Sequence, residues 1–162
     1  MVDPSTLVLV VDTSGSMSEG GKCFIARGAV RTAEQYVRLG YGSAHLTLVA
    51  WSGRARTVEW NPDEEYPSEM LTCEGSADAQ ALVDHLDQIG PDLESRVLLI
   101  TDGFWSRADE KVLKLWKKRF RADAIRIVKI GADANPLLKG AGVIAIDDLF
   151  AALSGWLEGR DA

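Results

Sequence analysis

The sequence predicts an α/β fold of the doubly wound, Rossmann-like kind: a central, mostly parallel six-stranded sheet with one antiparallel edge strand and helices on both faces. Three observations predict it. Short unbroken apolar runs alternate with longer stretches of helical periodicity, the pattern of strands that crossover helices bury on both sides. Two of those runs end in an aspartate, Asp12 and Asp102, and the carboxyl ends of strands are where such sheets hold ligands. Finally, the runs at 45–52 and 55–60 are separated only by Gly53-Arg54, a gap that admits a hairpin but not a crossover.

Each element follows in order. Residues 6–11 are apolar and β-branched, the first strand; residues 22–39 then place Ile25, Ala29, Ala33, Tyr36 and Val37 on one helical face. HLTLVAWS at 45–52 reads as the second strand and 55–60 as the third, antiparallel to it. An acidic irregular stretch at 61–74, with Pro62 and Pro67, is long for a connection in this fold, and long loops often carry specificity. A helix is expected at 77–89, then RVLLIT at 96–101 as a continuously buried strand. Residues 106–121 form a helix with Val112, Leu113, Leu115, Trp116 and Phe120 as its apolar set. Short strands at 124–130 and 142–146 and a closing helix at 149–157 complete the chain. With no repeat and no linker composition, residues 1–162 are expected to form a single domain.

Composition narrows the function. Of 162 residues 46% are hydrophobic, enough for a core without metals or disulfides. The 24 Asp and Glu against 18 Lys and Arg give a net charge of −6, which disfavours nucleic acid and anionic membranes as partners. The start carries no basic n-region and its apolar run is too short for a signal or a span. Cys23 and Cys73 stand fifty positions apart with no CxxC or Cys/His spacing; they read as small buried hydrophobes in a reducing cytoplasm.

The chemistry concentrates after the first strand. Asp12-Thr13-Ser14-Gly15-Ser16 sets three oxygen side chains at alternate positions on the loop entering the first helix. A hard divalent cation wants oxygen ligands in a near-octahedral shell and keeps waters in the remaining places. Asp102, ninety residues on at the end of another central strand, is expected to face Asp12 across the crevice, and Ser76 after Gly75 offers one more hydroxyl. A helix N-cap would account for Asp and Ser here, but for neither Asp102 nor the repeated spacing.

DTSGS, the Gly75-Ser76 turn and ITDG at 100–103 together resemble the metal-ion-dependent adhesion site of a von Willebrand factor type A domain, in order and spacing over nearly the whole chain, and the likeness is to stand-alone, bacterial-type members. The resemblance implies Mg²⁺ (or Mn²⁺ or Ca²⁺) bound through Asp12, Ser14 and Ser16, with Asp102 close by or acting through water. Ser76 stands where the family usually has Thr, which keeps the hydroxyl and loses the β-branch. Few protein charges reach such a metal, so a Glu or Asp of another protein completes its shell. Also implied are a cytoplasmic setting and a multi-protein system with a MoxR-type AAA+ ATPase.

Enzyme readings fit less well. A haloacid-dehalogenase phosphatase needs a second carboxylate two residues after the first aspartate, and position 14 is Ser. No phosphate loop, dinucleotide fingerprint or nucleophile elbow is present, and neither His45 nor His85 pairs with a recognisable nucleophile. The alternatives to an interaction module are a scaffold with a vestigial metal site, binding through charged faces, and a metal-dependent phosphate-ester hydrolase. Charge is strongly segregated. Eleven acids and no Lys or Arg lie between Thr57 and Ser95, while Arg107, Lys111, Lys114, Lys117, Lys118, Arg119 and Arg121 crowd one helix. Phe104 and Trp105 follow Asp102-Gly103 beside the expected crevice. With Lys111, Lys114 and Lys118 they are the candidate partner contacts.

Overall fold

A computed structural model describes residues 5–39, 44–89, 96–119, 124–131, 134–136, 138–140 and 142–157. Six strands, β1 (Ser5–Asp12), β2 (Ala44–Trp51), β3 (Ala55–Val58), β4 (Arg96–Thr101), β5 (Ile125–Lys129) and β6 (Val143–Ala145), form one sheet in the order β3-β2-β1-β4-β5-β6. All neighbours are parallel except β3, which runs antiparallel to β2 at the edge. The mostly parallel six-stranded sheet with one antiparallel edge strand is the expected one. β1 lies between β2 and β4, so the chain leaves it in both directions and opens a crevice at its carboxyl end.

The four helices are α1 (Lys22–Arg38), α2 (Ala79–Ile89), α3 (Arg107–Lys117) and α4 (Leu149–Leu157). Side chains alternate along each apolar strand and feed two cores. Leu7, Leu9, Leu48, Leu98 and Ile100 pack with α1 and α4, whereas Val8, Val10, Val49, Trp51, Val97 and Leu99 pack with α2 and α3. This is why these strands carry no polar alternation: both faces are covered. No helix among the described residues is long and apolar enough to cross a membrane.

Two details of the helix faces differ from expectation. In α1 the buried stripe is Ala26, Ala29, Val30, Ala33 and Tyr36, while Ile25 is 37% exposed. Leu115 in α3 is 66% exposed, because it sits about 200° around the helix from Leu113; Leu113 and Trp116 make the buried contact. Phe120 lies outside the described residues. The helix expected from 77 begins at Ala79, because Asp78 caps it: its Oδ1 accepts the Ala81 N–H at 3.1 Å and its carbonyl the Leu82 N–H at 3.2 Å. The expected irregular stretch at 61–74 contains a 3-10 turn, Ser68–Leu71. Tyr66 and Met70 bury themselves in the α1-side core and pin it, with Trp60 edge-on to Tyr66.

Both cysteines are free; Cys23 is buried and Cys73 half-buried. Burial pushes the Cys73 thiol up to about 12, in keeping with a packing role.

Leu98, fully buried in β4, and Leu115, exposed on α3, give a direct test of these faces. Leu98→Ala should lower the free energy of unfolding by about 2–5 kcal/mol, and Leu115→Ala should change it by no more than about 0.5 kcal/mol, both read by urea denaturation.

Candidate functional site

β1 ends by burying a carboxylate. Asp12 is 0% exposed, its Oδ1 accepting the Ser14 N–H at 2.9 Å and its Oδ2 the Thr101 hydroxyl at 2.6 Å. Thr101 Oγ1 in turn accepts the Gly103 N–H at 2.9 Å. A chain of hydrogen bonds therefore ties the end of β4 to the end of β1. Asp102, also 0% exposed, accepts the Lys22 ammonium on Oδ2 at 3.0 Å and the Phe104 N–H on Oδ1 at 3.2 Å.

The loop after Asp12 is held from two sides. Thr13 donates its N–H to the Trp51 carbonyl at 2.7 Å, fastening the loop to the end of β2. The Glu74 N–H bonds the Thr13 carbonyl at 3.0 Å and the Gly15 N–H the Gly75 carbonyl at 2.8 Å, which brings the Gly75-Ser76 turn alongside. Beyond it a 3-10 turn, Gly15–Gly21, leads into α1. The result is a cleft of about 410 Å³ lined by Ser14, Ser16, Ser76, Phe104, Trp105 and Asp109 among others.

All five candidate site residues are thus gathered at the carboxyl ends of β1 and β4. Ser14 Oγ and Ser16 Oγ are buried and have no hydrogen-bond partner, a state buried hydroxyls rarely keep. One carboxylate and two orphaned hydroxyls are hard oxygen donors of the kind Mg²⁺ or Mn²⁺ takes. The residues present fit such a cation. Ser76 lines the cleft but is exposed. Among the described residues there is no metal-holding cluster of three or more His, Cys, Asp or Glu.

The partner candidates separate. Phe104 is 43% exposed at the cleft mouth, whereas Trp105 tucks inward with its ring centroid 5.9 Å from that of Trp51. Lys111, Lys114 and Lys118 are exposed on α3 and do not line the cleft; Lys114 pairs with Glu110 at 3.2 Å. His85 meets Thr57 at 2.9 Å between α2 and β3, and His45 is exposed.

Three residues escape the sequence reading. Lys22 is visible as a lysine heading the apolar stripe of α1. Thr101 could be found as the hydroxyl preceding the second aspartate. Asn135 carries no local signal, yet its N–H holds the Asp102 carbonyl at 2.9 Å and its Nδ2 the Gly103 carbonyl at 3.0 Å.

Gly103 has φ of +78°, and a Cβ there would stand 2.6 Å from Leu138 Cδ2. Gly103→Ala should therefore lower stability by about 1–3 kcal/mol, read by denaturation, and loosen the turn that presents Asp102. Burial raises the Asp12 pKa above its ordinary 3.8, and the Asp102 charge adds to the rise; the Thr101 hydroxyl and the Ser14 backbone N–H oppose it. The native state then holds this proton more tightly than the unfolded chain. Its contribution to stability is complete below pH 3.8 and is lost as pH rises through the higher native value. In EDTA at pH 7, Asp12→Asn should be more stable than the parent, and the gap should narrow as pH falls toward 4.

No protein-family model matches the sequence, and no curated protein does. Solved structures match its shape. A von Willebrand factor type A protein from Catenulispora acidiphila superposes with a TM-score of 0.64 at 19% identity, over 96% of this chain and 42% of that one. The manganese-loaded TRAP protein of Plasmodium vivax gives 0.68 at 16% identity, over 96% of this chain and 74% of that one. The pilus adhesin SpaC from Lactobacillus rhamnosus GG gives 0.63 at 13%, covering 95% and 30%. The chain spans less than half the length of the first and the third. The architecture built from β1 to α4 is the von Willebrand factor type A fold.

Proposed function

We propose that the chain is a metal-ion-dependent protein-interaction module, and that it is not an enzyme. The observation that carries this reading is the pair of buried, unpartnered hydroxyl oxygens, Ser14 Oγ and Ser16 Oγ, on the loop that follows a buried carboxylate. Asp12 supplies the anionic ligand and the two serines the neutral ones, with Ser76 and Asp102 alongside. When bound, Mg²⁺ (or Mn²⁺ or Ca²⁺) supplies Lewis-acid affinity for a Glu or Asp carboxylate of another protein. Support comes from the likeness to a TRAP structure loaded with manganese and to a pilus adhesin.

The remaining residues position and surround that contact. Thr101 and the Ser14 N–H fix the Asp12 carboxylate, Asn135 fixes the Asp102-Gly103 turn, and Phe104 offers an apolar rim. Lys111, Lys114 and Lys118, outside the cleft, are a second surface that steers an acidic partner. A place in the cytoplasm beside a MoxR-type AAA+ ATPase is the partner class we propose. A hydrolase would need a general acid beside Asp12, and the position two residues on is Ser14, a hydroxyl.

Calorimetric titration with Mn²⁺ tests the site: Asp12→Ala should abolish binding, and Ser14→Ala or Ser16→Ala should weaken it about tenfold or more, without loss of fold by circular dichroism. Capture of partners from lysate of the native cell should succeed in Mg²⁺ and fail in EDTA or with Asp12→Ala. Equal capture under all conditions would reject metal-mediated recruitment.

A further inference from the structure

Among the described residues, one buried ammonium, Lys22, stands with the two buried carboxylates of the crevice. Asp12, Asp102 and Lys22 are 0, 0 and 1% exposed.

The placement of Lys22 goes against its local preferences. It is the first residue of α1, where the helix dipole repels a cation. It heads the stripe Ala26, Ala29, Val30 and Ala33, where an apolar side chain would pack without desolvating a charge. Among its contacts are Asp102 Oδ2 at 3.0 Å, the Ser16 carbonyl at 3.4 Å and the Phe104 ring, whose centroid is 5.4 Å from Nζ. Both Asp102 oxygens are thereby engaged by protein donors, Lys22 Nζ and the Phe104 N–H, while the serine hydroxyls are not.

We infer that Lys22 is a positioning residue: it keeps Asp102 engaged and off the cation, so that Asp12 is the carboxylate of the pair in direct contact and a fixed ammonium stands beside the loaded site. That ammonium favours an anionic outside ligand. The inference rests on the metal-holding reading above and deepens it, since it makes a fixed ammonium the reason that a carboxylate is wanted in the open position. Phe104 roofs the ammonium, and the same ring forms the exposed rim of the cleft, so a partner seated there would cover Lys22 and strengthen its field.

The test uses Mn²⁺ and acetate on the whole chain, both followed by water-proton relaxation. Lys22→Met should bind Mn²⁺ about tenfold more tightly than the parent, because Asp102 is released to the cation and a repelling charge is gone. The Mn²⁺-loaded variant should bind acetate about tenfold more weakly. Lys22→Arg should keep both affinities within about threefold of the parent. Opposite movements of cation and carboxylate affinity are not produced by a simple loss of packing. Because Lys22→Met strands a buried carboxylate, Lys22→Met/Asp102→Asn serves as the second variant, and its Mn²⁺ affinity should return to near the parent's.

Unchanged Mn²⁺ and acetate affinities in Lys22→Met would overturn the inference and leave the metal-holding reading standing, as would a double variant that binds as tightly as Lys22→Met. A folded parent that binds no Mn²⁺ would overturn both.

Discussion

Two aspartates kept dry at the ends of adjacent strands set the terms for everything around them. A buried carboxylate without partners is destabilising by several kcal/mol, so each of these has recruited its own donors. Asp12 is held by a hydroxyl from the neighbouring strand and by the N–H two residues ahead, Asp102 by an ammonium from α1 and a loop N–H. The donors come from four different segments. Their demand for satisfaction draws β1, β4, the loop after each and the head of α1 to one point, and the crevice is what remains between them.

Topology makes that convergence possible. With β1 between β2 and β4, the loop leaving β1 is fastened to Trp51 at the end of β2 and to the Gly75-Ser76 turn beside it, while Thr101 of β4 holds Asp12 from the other flank. Asp109 adds a second link: its Oδ1 accepts the Ala79 N–H at 2.9 Å and its Oδ2 the Ser106 hydroxyl at 2.7 Å. One carboxylate thus anchors the starts of α2 and α3 beside the cleft. Such bonding leaves the site little to reorganise when something enters it, the condition under which electrostatic recognition is strongest.

Much of this is legible in the sequence. Short apolar runs, a two-residue hairpin gap and aspartates at strand ends are local signals, and they carry the α/β class, the antiparallel edge strand and the clustering of Asp12, Ser14, Ser16, Ser76 and Asp102. What is not legible is set by tertiary contact. Ile25 and Leu115 are apolar by type but face outward because Ala26 and Trp116 win the core positions beside them. Tyr66 and Met70 anchor a segment whose acidity suggests a free loop. Lys22 looks like a surface lysine until a carboxylate eighty residues away is brought to meet it, and Asn135 acts through backbone atoms of Asp102 and Gly103, which no side-chain pattern records.

The outer strands close the sheet in another sense. β3 has four residues and β6 three, against eight in β1, and β3 carries Arg56, exposed and paired to Glu69 at 2.7 Å. Long flat edges act as templates on which further chains add strand by strand. Borders this short, one of them carrying a charged arginine, offer too few backbone groups to seed such growth. A sheet bordered in this way can therefore be crowded with its own copies without joining them edge to edge.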